Sequence, residues 1–140
     1  MKSPTQILRK EHDVVLDLLD NLEKSIDKKD LKLSGKTIIT LEKEFEKHSL
    51  NKEEKILFPE IEKFIPRDGG PTGVMVLEHE DLVKSINEFK KNKQDSTGYH
   101  IISLLRDHIN KENTMLFMIA DMHLDEKQNR IILDKFDKIK

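Results

Sequence analysis

Apolar residues recur at three- and four-residue steps over nearly the whole chain, and nowhere does the sequence sustain the alternation that a half-buried strand requires. Behind Ser3-Pro4, which reads as an N-cap and a first-turn proline, Leu8, Val15, Leu19, Leu22 and Ile26 trace a first helical stripe. Ile38, Leu41 and Phe45 open a second that runs toward Phe64. Met75, Leu82, Val83, Ile86 and Phe89 form a third, ended by the polar run 90–97. A fourth passes through Ile101, Leu105, Met115 and Ile119, and Asp125 caps a short last helix carrying Ile131, Ile132 and Phe136. The one dense cluster of breakers, Pro66 to Gly73, marks a long loop between two halves. Long helices with one apolar face are unstable alone, so they must pack on each other. The pattern predicts an all-α protein, an up-down-up-down four-helix bundle with a short C-terminal helix. At 140 residues the chain is expected to form a single domain over 1–140.

Composition narrows the chemistry. Charged residues reach 37% and apolar ones only 36%, a balance suited to narrow buried stripes on long solvated helices. The 25 basic and 27 acidic residues are interspersed and nearly cancel, so no bulk attraction to nucleic acid or to an anionic membrane is expected. Neither a signal-peptide core nor a run of ~20 apolar residues is present, and the expected location is cytoplasmic. Cysteine is absent, which excludes disulfides, thiolate nucleophiles, iron–sulfur clusters and cysteine-based zinc sites. A bound metal would have to sit on histidine and carboxylate.

The histidines fall on the stripes. His12 lies between Leu8 and Val15, His48 follows Phe45, and His79 lies between Met75 and Val83. On the fourth helix the stripe reads Ile101, Leu105, His108, Glu112, Met115, Ile119 and Met122. On the second, the position one turn after His48 is Lys52, and the stripe resumes at Glu53, as though one residue were inserted. A π-bulge between His48 and Glu53 would return both to one face; the alternative is that His48 lies slightly off the stripe and reaches inward by its rotamer. A single inward histidine is most often a hydrogen-bonded core residue. Four imidazoles and two carboxylates turned into one bundle have nothing else polar on these stripes to pair with, and a metal satisfies the whole set.

The halves also repeat. Asn51-Lys52-Glu53 and Asn110-Lys111-Glu112 each continue into a Leu-Phe pair, and Glu11-His12-Asp13 matches Glu78-His79-Glu80. A pseudo-twofold bundle would set Glu53 opposite Glu112. Glu54 could join the site, accept a hydrogen bond from a coordinating imidazole, or equally be a solvated charge, whereas Glu11, Glu78 and Glu80 read as surface charges. His100 and His123 stand beside the fourth stripe, outside the expected site.

In the segments KEHDVVLDLLDNLE, HSLNKEEKILFPEIE, VLEHEDL and LLRDHINKENTMLFMIA the chain resembles the hemerythrin-like family, also called the HHE cation-binding domain. The resemblance implies a non-haem di-iron centre in which His12 and His48 bind one iron, His79 and His108 the other, and Glu53 and Glu112 bridge them. Oxygen-carrying members have a second histidine one turn after that of the third helix, where this chain has Val83, so one iron would keep an open position. The spacing from His48 to Glu53 is also one longer than the family pattern.

Other metal motifs are missing. Arg9, Phe45, Val76, Thr97, Leu105 and Ala120 stand three residues before the six histidines, so no Glu-x-x-His of the ferritin-like kind exists, and Val83 breaks a His-Glu-x-x-His. Imidazole mixed with carboxylate suits iron or manganese among the redox metals, with zinc possible, and the resemblance implies two iron ions. The expected function is binding of O₂, nitric oxide or peroxide for sensing, scavenging or an iron or oxidative-stress response. A peroxidase or nitric oxide reductase using an unknown reductant, and a metal-free helical interaction domain, are the competing readings. The sequence does not specify the oligomeric state.

Overall fold

The computed structural model describes residues 2–139, and every regular element among them is helical. Helix α1 spans Pro4–Asp27 and opens with a capping box in which Ser3 and Gln6 satisfy each other's backbone N–H groups. Lys29 adopts a left-handed conformation in the following turn, and Asp30 caps α2, Leu31–Phe45, by accepting from the Leu33 amide. Without interruption α2 becomes a π-helical segment, Glu46–Leu57, and then a four-residue α-helix, α3, Phe58–Ile61. The second stripe thus stops at Ile61 rather than Phe64, whose exposed ring stacks on His123 at 5.1 Å between centroids.

Helix α4, Pro71–Asn92, starts earlier than the breaker cluster suggests, because Pro71, Thr72 and Gly73 form its first turn. A proline there gives up no helical hydrogen bond. Gly70 and Gly73 lie where a Cβ would meet the Pro66 and Arg67 carbonyl oxygens at 2.2 and 2.4 Å, so the loop backbone folds directly onto this helix start. Helix α5, Asp95–Lys111, continues through a π turn, Glu112–Leu116, into α6, Phe117–His123. Asp125 and Gln128 form a second capping box that begins α7, Glu126–Asp137.

Helix α1 packs against α2 and α5, and α4 packs against α5 and α2, which closes the ring of an up-down-up-down bundle. Its interior divides into two apolar clusters. One holds Leu19, Leu22, Leu41, Leu82, Phe89 and Ile101 with their neighbours. The other holds Leu8, Leu57, Phe58, Leu116, Phe117 and Phe136, the last supplied by α7 lying over the π segment and α1. Between these clusters the interior is polar.

Two stripe expectations are corrected. Met115 and Met122 are 56% and 76% exposed, while Leu116, Phe117 and Ala120 are buried. The π turn at Glu112–Leu116 accommodates an extra residue and rotates the downstream stripe by one position. Val83 lies at the surface at 37% exposure, because the inward positions after His79 are Leu82 and Ile86.

Candidate metal centre

All six side chains singled out from the stripes meet at the waist between the two apolar clusters. His12, His48, His79 and His108 are each at most 4% exposed, and Glu53 and Glu112 are fully buried. α1 supplies His12, the π segment supplies His48 and Glu53, α4 supplies His79, and α5 with its π turn supplies His108 and Glu112. Within the π segment the five-residue spacing becomes a contact, with His48 Nε2 3.0 Å from Glu53 Oε2. An i to i+5 repeat stacks these residues as an α-helix stacks i and i+4, so the inserted position is absorbed as expected, although over twelve residues rather than one bulge. His108 and Glu112 retain α-helical spacing and stand 3.5 Å apart.

Each glutamate faces both halves. Glu53 Oε2 is turned to His48 and its Oε1 lies 3.4 Å from His79 Nε2. Glu112 Oε1 lies 2.9 Å from His12 Nε2, and its Oε2 faces His108. Donor atoms of His12, His48, Glu53 and Glu112 all fall within 4.8 Å of one another, as do those of Glu53, His79, His108 and Glu112. The two groups share both carboxylates.

A second layer fixes the rings. In every one of the four, Nε2 turns inward and Nδ1 turns outward to an oxygen: Glu11 for His48 at 3.0 Å, Glu54 for His79 at 2.6 Å, Glu78 for His108 at 2.8 Å and Asn113 for His12 at 2.8 Å. An Nδ1–H that donates outward leaves the Nε2 lone pair facing the centre, the usual preparation of a metal-ligating imidazole. Lys52 donates to Glu11 and Lys111 to Glu78, so each of these carboxylates is neutralised from its outer side. Glu11 and Glu78 are therefore braces and not free surface charges. Neither lies on an apolar stripe, and the only sequence sign was their repeated place one residue before a histidine. Asn113, one residue after Glu112, carried no signal beyond its alignment with Glu54. Glu80 is exposed, His100 lies by Asp81, and His123 lies on Phe64, all apart from the cluster.

Packed rings hold the imidazoles from both ends. Phe117 stacks on His12 and Phe58 on His79, at 5.3 and 6.0 Å, and Phe45 meets His79 edge-on at 5.5 Å. Phe45 and Val15 also help to line a cavity of about 10 Å³ beside His12, His48, His108 and Glu112. That is about the room one water-sized molecule needs. The open space borders these residues and not Val83, which lines a separate surface groove.

In the metal-free chain the buried carboxylates hold His48 and His108 protonated, so a cation would take the place of their Nε2 protons. Burial by itself pushes the pKa of His108 down, but the Glu112, Glu78 and Glu53 carboxylates override it and raise it to about 10. His48 is likewise desolvated, yet Glu53, Glu11 and Glu112 hold it well above the ordinary value. Burial opposes ionisation of Glu112, and the His108, His12 and His48 rings nevertheless hold it well below the usual carboxylate range. Glu78 is pulled down to about 2, chiefly by its hydrogen bond with His108.

Even so, the polar groups do not satisfy one another. His48 Nε2, both oxygens of Glu53 and Glu112 Oε2 are buried and lie within ion-pair distance of one another or of a neighbouring ring, yet none of the four makes a hydrogen bond of acceptable geometry. Buried polar atoms are nearly always paired, so four orphans in one place call for a missing partner that accepts lone pairs. A divalent cation meets that requirement, and imidazole with carboxylate is a donor set that iron, manganese and zinc accept. No curated protein and no solved structure matches the chain. The family model described as the hemerythrin HHE cation binding domain matches residues 3–120, a span that includes all six inward side chains, and the chain belongs to that family.

Proposed function

We propose that the waist holds two non-haem iron ions, one between His12 and His48 and one between His79 and His108, with Glu53 and Glu112 shared by both. The observation that carries this reading is the set of orphaned buried atoms, His48 Nε2, both Glu53 oxygens and Glu112 Oε2. A metal-free interaction domain gives those atoms no reason to be buried, since leaving them unpaired is costly. Two iron ions so held would supply redox chemistry toward O₂, nitric oxide or peroxide.

The chain's own residues do the rest. Glu11, Glu54, Glu78 and Asn113 orient the imidazoles, and the apolar clusters on either side exclude bulk water. The cavity edged by Val15, Phe45, Leu105 and Ile109 has about the room of one water-sized molecule, which restricts approach to the waist to very small ligands. Its size fits a role in sensing or scavenging such molecules.

Anaerobic addition of Fe(II) to metal-free protein, with metal counting and a visible spectrum after exposure to air, tests the reading. Near two irons per chain with oxo-to-iron absorption is the expected result. Glu112→Ala should lower the iron count together with thermal stability, and an unchanged count would remove Glu112 from its bridging role. Turnover of peroxide or nitric oxide with an added reductant would assign the centre to an enzyme instead of a binding module.

A further inference from the structure

The layer of residues behind the imidazoles is symmetric except at one pair of positions. Glu11 and Glu78 stand one residue before His12 and His79, each accepts from a histidine of a neighbouring helix, and each is met by a lysine. Glu54 and Asn113 stand one residue after Glu53 and Glu112. Glu54 accepts from His79 and Asn113 from His12. A carboxylate therefore backs one ring where a neutral amide backs its counterpart. Glu54 meets no lysine or arginine at ion-pair distance among the described residues; its partner is His79.

That exchange is not neutral toward a cation. A carboxylate draws on the Nδ1–H more strongly than an amide oxygen and makes the opposite ring nitrogen a better donor. It also brings a negative charge to one half of the centre that no lysine or arginine among the described residues meets in direct contact, Arg67 acting on it only from farther off. Counting the layer, the half formed by His79 and His108 is backed by two carboxylates, Glu54 and Glu78, and the half formed by His12 and His48 by one, Glu11.

We propose that Glu54 and Asn113 rank the two halves, so that His79 and His108 take up a divalent cation first and more tightly, while His12 and His48 fill second. The ranking rests on the two-ion reading of the cluster. It leaves both histidines of the weaker half on the wall of the small cavity, which takes in only His108 of the tighter half. The half with more of its ligands on that wall is thus the half from which an ion is more readily lost.

Metal-free full-length chain titrated with Mn(II) alone, counting free and bound ion by electron paramagnetic resonance, tests the ranking. The expected result is two steps, the first ~10-fold or more tighter than the second, the usual scale of such outer-layer effects. Glu54→Gln should narrow the gap by weakening the first step, and Asn113→Asp by strengthening the second. Both changes keep the shape of the side chain. Among single-half variants, His48→Ala should retain the tight step and His108→Ala the weak one. Two equal sites, a gap that neither isosteric change moves, or loss of the tight step in His48→Ala would overturn the ranking and leave a two-ion centre standing. Failure of the unaltered chain to take up Mn(II) at all would remove the two-ion reading and the ranking with it.

Discussion

Tyr99, the only tyrosine of the chain, donates its hydroxyl to the Asp27 carboxylate and so ties the start of α5 to the end of α1. That hydrogen bond, with the negative charges of Asp27, Asp95 and Glu23 nearby, pushes its pKa up to about 12. The folded value lies above the ordinary 10.0, so the contact stabilises the protein fully below that pH and is lost as the pH rises through about 12. Phenolate absorbance followed against pH should give one midpoint near 12, and Asp27→Asn should bring it back toward 10.0. A parent midpoint already near the ordinary value would rule the contact out. Nothing in the sequence paired these residues. All six waist residues, in contrast, were legible one by one, because a polar side chain in the middle of an apolar stripe is conspicuous. Glu11 and Glu78 were not, since whether a stripe-flanking carboxylate meets a neighbouring helix depends on how far each helix is rotated in the bundle.

At the level of elements, the two π segments set the register of the second and fourth bundle helices. π turns hold their backbone less tightly than α turns. In the metal-free protein, amides of Glu46–Leu57 should exchange with deuterium faster than those of α1, and loading with metal should slow that segment more than any other. Equal protection before and after loading would count against a centre anchored there. Gly98 illustrates a tighter constraint: a Cβ at this position would meet Ile26 Cδ1 at 2.4 Å and Phe89 Cε1 at 2.9 Å. Gly98→Ala should therefore cost about 1–3 kcal/mol despite its better helix propensity, read from the denaturant midpoint. Stabilisation by alanine would show that α5 can move away from α1 and α4. The inserted residue between His48 and Glu53 was visible as a break in the stripe. The π turn after Glu112 was not, because Met115, Leu116, Ile119 and Ala120 are all acceptable as core residues and the sequence alone offers no reason to prefer one set.

For the whole molecule, the centre and the hydrophobic interior are one structure, since the waist lies between the two apolar clusters. Metal that binds only the folded chain should raise its stability by about 2.7 kcal/mol at a free concentration a hundred times Kd. A melting temperature independent of added metal would contradict the proposed centre. Helix α7 lies past the residues matched by the family model, yet it contributes Ile132 and Phe136 to the cluster that carries Phe58 and Phe117. The Phe136 ring also lies 5.7 Å from Lys52 Nζ, the lysine that meets Glu11 behind His48. Phe136→Ala should cost about 3–5 kcal/mol of stability, measured by chemical denaturation. A negligible loss would mean that α7 is not docked as described.

The amino-acid pattern alone determined that this chain forms four long helices and a short fifth, and that each long helix turns a histidine inward. Those features follow from local periodicity and from the cost of burying polar groups without partners, both of which are written along a single helix. Tertiary structure decided the rest: which oxygen stands behind each ring, where the small cavity opens, and which methionines face water. These depend on the rotation and depth of one helix against another, and a one-residue π insertion changes both without leaving a mark in the composition or in the hydrophobic count.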